Sequence, residues 1–127
     1  MNEIDHVTLR NKLATDTPPT LVMVASEWAY RAKRIPGSRH FARLDDALSH
    51  LDPDAEIVLY CGGEHCNTSR HAYRVLEAEG FSHLWHYAGG LSDWEAAGYP
   101  LDGEWAIALA QAARRSMKRA VVWSLAA

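Results

Sequence analysis

Two kinds of apolar clustering alternate along the chain. Leu21 to Val24 and Ile57 to Tyr60 are short unbroken apolar runs bounded by polar or turn residues, the signature of strands buried on both faces of a parallel sheet. Leu84 to Tyr87 reads as a further strand. Between the runs the spacing becomes helical: Leu44, Ala47, Leu48 and Leu51 share one face, and so do Ala72, Val75 and Leu76 within Ser69 to Glu79. Gly80 stands where a left-handed helix end belongs, and Leu91 to Ala97 forms a shorter helix closed by Gly98 and Pro100. Asp5 is placed to cap an opening helix bearing Val7, Leu9 and Leu13. Thr15 to Thr20 is a connector, and a Trp28 and Tyr30 segment leads into the turn Ile35-Pro36-Gly37-Ser38. The alternation predicts an α/β domain with a parallel sheet of about five strands and helices on both faces.

At 127 residues the chain has room for one such domain, and a net charge of −3 lacks the field of a nucleic-acid reader. No apolar run approaches the roughly 20 residues that span a bilayer, and the start has no basic-then-apolar leader. The cytoplasm is therefore the expected compartment, with neither membrane nor nucleic acid as a partner. Residues 1–103 make up the expected domain. Residues 104–127 form an amphipathic helical extension, with Trp105, Leu109, Ala112, Ala113, Ala120 and Val121 along one face and Arg114, Arg115, Lys118 and Arg119 elsewhere. Packing on the domain or on a second copy, as a homodimer, is expected of it; attachment to a membrane surface is the other use of such a helix. Trp28, Trp85 and Trp94 fall in core segments, where burial is the default. His83 and His86 flank Trp85 without an acidic or cysteine partner in sequence reach and read as ordinary strand-end residues.

Chemistry concentrates in Ile57 to Ser69, where a buried strand runs into Cys61, a glycine-bearing loop and a helix start. Cys61 and Cys66 are the two cysteines, too close in sequence to staple a fold. At the carboxyl end of a parallel strand, Cys61 faces the start of the following helix, where loop amides and the helix dipole favour thiolate over thiol. A two-unit fall in pKa corresponds to about 2.7 kcal/mol. Gly62 and Gly63, lacking β-carbons, suit a backbone that curls around an anion. Cys66 offers a resolving thiol for Cys61. A zinc set of Cys61, His65, Cys66 and His71 is the alternative, but its spacing matches no common zinc module, so neither metal nor cofactor is expected.

Three separated segments carry a resemblance: Tyr30 with Ile35-Pro36-Gly37-Ser38, Tyr60-Cys61, and Gly89-Gly90-Leu91-Ser92-Asp93-Trp94 through Gly98-Tyr99-Pro100. Together, over roughly residues 4 to 102, they resemble the single-domain rhodaneses. The resemblance implies a three-layer rhodanese-like fold and a sulfurtransferase in which the Cys61 thiolate takes sulfane sulfur from a donor such as thiosulfate. The resulting persulfide passes to a thiol or cyanide acceptor. It also implies an anion-binding loop of Gly62, Gly63, Glu64, His65, Cys66, Asn67, Thr68, Ser69 and Arg70. Two departures matter. Where the family usually has Asp-Val-Arg after a strand, this chain reads Met23-Val24-Ala25, and its loop to Ser69 is longer than usual and holds a second cysteine. A lengthened loop resembles that of related phosphatases and arsenate reductases, although Asn67-Thr68-Ser69 lacks their closing arginine and only Arg70 stands near. Arg34, Arg39 and His40 are further candidates for charge at the site. A redox or sulfide-sensing module acting through Cys61 and Cys66 is the alternative from another class.

Overall fold

The computed structural model describes residues 1–63 and 65–126, with side chains described as far as residue 116. Three strands, β1 (Thr20–Met23), β2 (Ile57–Tyr60) and β3 (Leu84–Tyr87), pair in parallel in the order β1-β2-β3. The register sets Met23 beside Tyr60 and Tyr60 beside Tyr87, so the three carboxyl ends finish level. The sheet has three strands, not the expected five. Its outer lanes are single bridges, Val22 to Arg39 beyond β1 and Glu3 to His86 beyond β3. Each lane is held by two backbone bonds, Met23 N to Arg39 O and Arg39 N to Leu21 O on one side, Ile4 N to His86 O and His86 N to Asn2 O on the other. The chain leaves each lane at once, for a helix cap at Asp5 and for the bonds of His40, so neither lane grows into a strand.

Helices α1 (His6–Leu13), α2 (Glu27–Ala32) and α5 (Gly90–Ala96) attend one face of the sheet, while α3 (Leu44–His50) and α4 (Thr68–Ala78) cover the other. Strand alternation divides the apolar residues between them. Leu21, Met23, Val58, Tyr60 and Tyr87 pack with Leu9 and Trp94, whereas Val22, Ile57, Leu59 and Leu84 pack with Ala47, Tyr73 and Leu76. Asp5 caps α1 by accepting the Thr8 N–H at 2.7 Å, as its position in the sequence suggests. The segment around Trp28 is itself a helix, capped by Ser26, and Trp28 is 66% exposed, against the expectation of burial; Trp94 is buried and Trp85 half-buried.

The Ile35-Pro36-Gly37-Ser38 turn clamps the sheet from beneath. The Tyr60 hydroxyl accepts the Ile35 N–H at 3.1 Å and lies 2.7 Å from Ser38 Oγ, while Tyr30 donates to the Ser38 carbonyl at 2.8 Å. Burial pushes the Tyr60 phenol up to about 12. This network fixes the residue immediately before Cys61. Beyond Gly103 the chain continues as α6 (Glu104–Ala126). Trp105 meets Trp28 edge-to-face at 5.1 Å, and residues 107–116 are exposed, so among the described residues α6 meets the domain at its base. Ala120, Val121, Lys118 and Arg119, assigned to its faces from sequence, lie outside the described side chains.

Candidate active site

Cys61 leaves β2 at the carboxyl edge of the sheet, on the α4 side, and is 3% exposed. The backbone around it is pinned from α5. Leu91 N donates to Cys61 O at 2.9 Å, and Gly62 O accepts both Ser92 N at 3.0 Å and Ser92 Oγ at 2.7 Å. The start of α5 thus spends its amides on the strand end and loop. Gly90 makes this approach feasible: its φ is +64°, and a β-carbon there would stand 2.4 Å from the Cys61 carbonyl oxygen. The second glycine of the Gly-Gly signature is therefore a packing requirement of the cysteine strand.

Among the described loop residues, carbonyl oxygens meet the Cys61 sulfur beside the donors that the sequence leads one to expect. Cys66 N closes a turn onto Gly63 O at 3.1 Å, which turns carbonyls inward: Cys61 Sγ donates to Cys66 O at 3.6 Å and weakly to Gly63 O at 3.9 Å. The group that favours its thiolate is Ser69, through a hydroxyl 3.2 Å from the sulfur and through its N–H. Burial, reinforced by the neighbouring Cys66, pushes the Cys61 thiol up despite Ser69. Cys66 moves the other way. Burial opposes its ionisation, but the Cys61 thiol, the Thr68 hydroxyl and the N–H groups of Thr68 and Ser69 together bring it below the ordinary thiol range. The Thr68 amide thus serves Cys66 and the Ser69 amide bears on both cysteines, because the turn at Gly63 lays Cys66 across the helix start. The two thiols thus shift in opposite senses, Cys61 up and Cys66 down.

Beside the loop that follows Cys61 lies an open depression of about 570 Å³, lined by Gly62, Gly63, His65, Cys66, Gly89, Ser92 and Asp93; Cys61 itself is buried and not part of that lining. The Asp93 carboxylate accepts the Tyr87 hydroxyl at 2.6 Å and lies 2.9 Å from His6 Nδ1; the Tyr87 bond first, then His6, holds it below the usual carboxylate range. Glu64, part of the expected anion loop, lies outside the described residues. Asn67 precedes α4 without a side-chain capping bond, and Arg70 is exposed on its first turn. The other candidate cations are engaged elsewhere. Arg34 lies 3.3 Å from Asp102 and over the Tyr30 ring, Arg39 lies over Phe41, and His40 Nε2 lies 2.6 Å from the Ala25 carbonyl oxygen. His71 lines a separate apolar cleft of about 320 Å³ with Val24, Phe41 and Leu44. Among the described residues no group of three or more His, Cys, Asp or Glu is arranged to hold a metal ion.

His86, read from sequence as an ordinary strand residue, belongs to the site. It is 2% exposed and its Nε2 lies 2.8 Å from Ser69 Oγ. Strand parity carries the missed signal: with Leu59 beside His86 in register, residues 57, 59 and 61 of one strand share a face with 84 and 86 of the next.

A family model described as Rhodanese-like domain matches residues 6–97. Over 78 residues the chain is 32% identical to the thiosulfate sulfurtransferase GlpE of Ectopseudomonas mendocina, covering 60% of this chain and 70% of that one. The solution structure of the rhodanese-like domain of the Alr3790 protein from Anabaena superposes with a TM-score of 0.73 at 28% identity, covering 83% of this chain and 81% of that chain. A rhodanese-related protein from Thermoplasma volcanium shares the fold, with a TM-score of 0.70 at 22% identity over 82% of this chain and all of the other (100%). The strand-end cysteine, the Gly-Gly pair that packs against it and the level parallel sheet agree with the span matched: the chain belongs to the rhodanese-like domain family.

Proposed function

We propose that the protein is a sulfurtransferase that carries sulfane sulfur as a persulfide on Cys61. The Cys61 thiolate attacks the sulfane sulfur of a donor; the Cys61–sulfur bond forms as the donor's sulfur bond breaks, and its electron pair leaves with the remainder, sulfite if the donor is thiosulfate. An acceptor thiolate or cyanide then takes the outer sulfur and returns the thiolate. The observation that carries this reading is the placement of Cys61 at the end of the central strand, with the Ser69 hydroxyl 3.2 Å from its sulfur and a depression lined by the loop that follows it. Similarity to a thiosulfate sulfurtransferase supports the reaction class.

The depression bears on the donor. Its described lining holds the Asp93 carboxylate and neither lysine nor arginine, a wall that repels a thiosulfate dianion. Persulfides and polysulfides, which concentrate less charge, suit it better. Any donor must also displace the Gly63 and Cys66 carbonyls from the Cys61 sulfur, a rearrangement that the Gly62-Gly63 pair permits. In the reducing cytoplasm expected from the sequence both thiols stay reduced until a donor arrives.

A second reading rests on the nearness of the two cysteines, Cys61 Sγ lying 3.6 Å from the Cys66 carbonyl oxygen, and on the opposite shifts of their thiols. The Cys66 thiolate can attack the inner sulfur of a Cys61 persulfide, forming the Cys61–Cys66 disulfide and expelling hydrosulfide, as a sulfide-reporting module would. Incubating reduced protein with thiosulfate, a glutathione persulfide or polysulfide and weighing it intact tests both. A gain of one sulfur atom, absent in Cys61→Ser and removed by cyanide, supports the transferase. Loss of two hydrogens with sulfide release, abolished in Cys66→Ser, supports the second reading. No adduct with any donor overturns the first.

A further inference from the structure

Behind the Cys61 sulfur the structure buries an imidazole that sulfur transfer, as written above, does not use. His86 Nε2 lies 2.8 Å from Ser69 Oγ, and Ser69 Oγ lies 3.2 Å from Cys61 Sγ, with all three residues at most 3% exposed. The other ring nitrogen, Nδ1, is buried without a hydrogen-bond partner among the described residues. That orphan decides the tautomer. A proton on Nδ1 would bury an N–H with nothing to receive it, whereas a proton on Nε2 leaves only a lone pair unmatched, the cheaper omission. With Nε2–H donating to Ser69 Oγ, the single hydroxyl hydrogen of Ser69 is not drawn to the imidazole and turns to the sulfur. With the proton on Nδ1, Nε2 would instead accept that hydrogen, and the sulfur would face an oxygen lone pair.

We propose that His86 is a positioning residue that, as the Nε2–H tautomer, orients the Ser69 hydroxyl as a donor to the Cys61 sulfur. The need for it is local. Gly63 and Cys66 present carbonyl oxygens to that sulfur, and both disfavour negative charge there, so the Ser69 donor is what the Cys61 thiolate leans on. Charged and titratable groups bearing on His86 are Arg70 from α4 and Glu3 from the outer lane, with Cys61 and Cys66 beyond Ser69. Burial first, then Arg70, lowers the imidazole from its ordinary titration range, against the smaller opposing pull of Glu3. The extension of this role to a persulfide rests on the transferase reading; the effect on the thiol does not.

The experiment follows the pH dependence of Cys61 alkylation by iodoacetamide in a Cys66→Ser background, a measurement that needs no sulfur donor. Replacing His86 by Phe raises the midpoint by about one unit, slowing alkylation at pH 7 about tenfold. His86→Gln, whose amide N–H occupies the place of Nε2–H, restores most of the rate. Ser69→Ala gives the same rise as His86→Phe, and combining Ser69→Ala with His86→Gln adds nothing further, because one chain of hydrogen bonds is being cut. Nitrogen-15 shifts of the His86 ring report the Nε2–H tautomer directly in the unaltered protein and do not depend on any variant folding. An Nδ1–H tautomer, equal midpoints in His86→Phe and the parent, or equal shifts in His86→Phe and His86→Gln would each overturn the proposal. Failure of every donor to load sulfur, with these midpoints as stated, would overturn the transferase reading and leave the role of His86 standing.

Discussion

Within the site, two cysteines five positions apart experience opposite fields. Cys61 lies under the loop with carbonyls at its sulfur, while Cys66 lies across the first amides of α4 and lines the depression. Brief treatment of the reduced protein at pH 7 with less than one equivalent of iodoacetamide therefore labels Cys66 first, as peptide mapping will show; preferential labelling of Cys61 would mean that the amides turn to it instead. His86 supplies a stability signature. Its folded pKa is lowered, so between that value and the unfolded one, about 6.5, the unfolded chain binds more protons and stability falls as pH drops. Above the unfolded value the penalty vanishes. Asp93, lowered chiefly by Tyr87, shares that sense at more acid pH, where its contribution is lost as pH falls through its folded pKa, although its exposure makes the effect small. Denaturant titrations at pH 7.5 and 5.5 are expected to show a loss in the parent that is reduced in His86→Gln; an equal loss in both would assign it to other groups.

Among the elements, the demanding contact is that of α5 on the loop after β2. Gly90→Ala must place a β-carbon 2.4 Å from Cys61 O and 2.9 Å from Gly63 N, both backbone atoms, while holding φ at +64°. A loss of about 2 kcal/mol or more is expected from chemical denaturation, together with slower sulfur loading, since relief of the clash moves the strand end. Unchanged stability would mean that α5 can withdraw without cost. The same contact shows what the chain reveals in advance. The apolar runs declare β1 and β2 nearly to the residue because strands buried on both faces are mostly apolar, Leu84 and Tyr87 mark β3 around the buried His86, and Gly89-Gly90 advertises a close approach. The outer lanes were overcounted: single bridges at Arg39 and Glu3 are made by backbone bonds, with no apolar pattern obliged to report them. Helix α2 was hidden for a related reason, since six residues with an exposed Trp28 bury only Ala32 and leave no periodic face. At the site, the sequence declares Cys61 but not the inward carbonyls, which depend on how one turn closes, nor His86, whose role depends on register between distant strands.

On the scale of the whole molecule, the body and α6 are coupled through very little. Among the described residues the junction includes the Trp28–Trp105 edge pair, worth about 0.5–1.5 kcal/mol, and Arg31 with Glu104 at 3.9 Å, an exposed pair worth at most about 1 kcal/mol. Among the described residues both hydrophobic clusters draw on positions up to Leu101, and Arg34 pairs with Asp102 before the helix begins. Gly103, with φ +114° and no space for a β-carbon beside Ala32 O, makes the turn that sends α6 away. The alanine-rich composition of Glu104–Ala126 and its 23-residue length favour helix, but isolated helices gain little stability in water, so the exposed apolar side chains Ile107 and Leu109 call for some cover. Ending the chain after Gly103 is therefore expected to cost no more than about 2 kcal/mol in denaturant unfolding, to keep a single cooperative transition, and to leave the alkylation midpoint of Cys61 unchanged. A larger loss that grows with the concentration of the full-length protein would show instead that a second copy covers the helix and that the domain borrows stability from the pair.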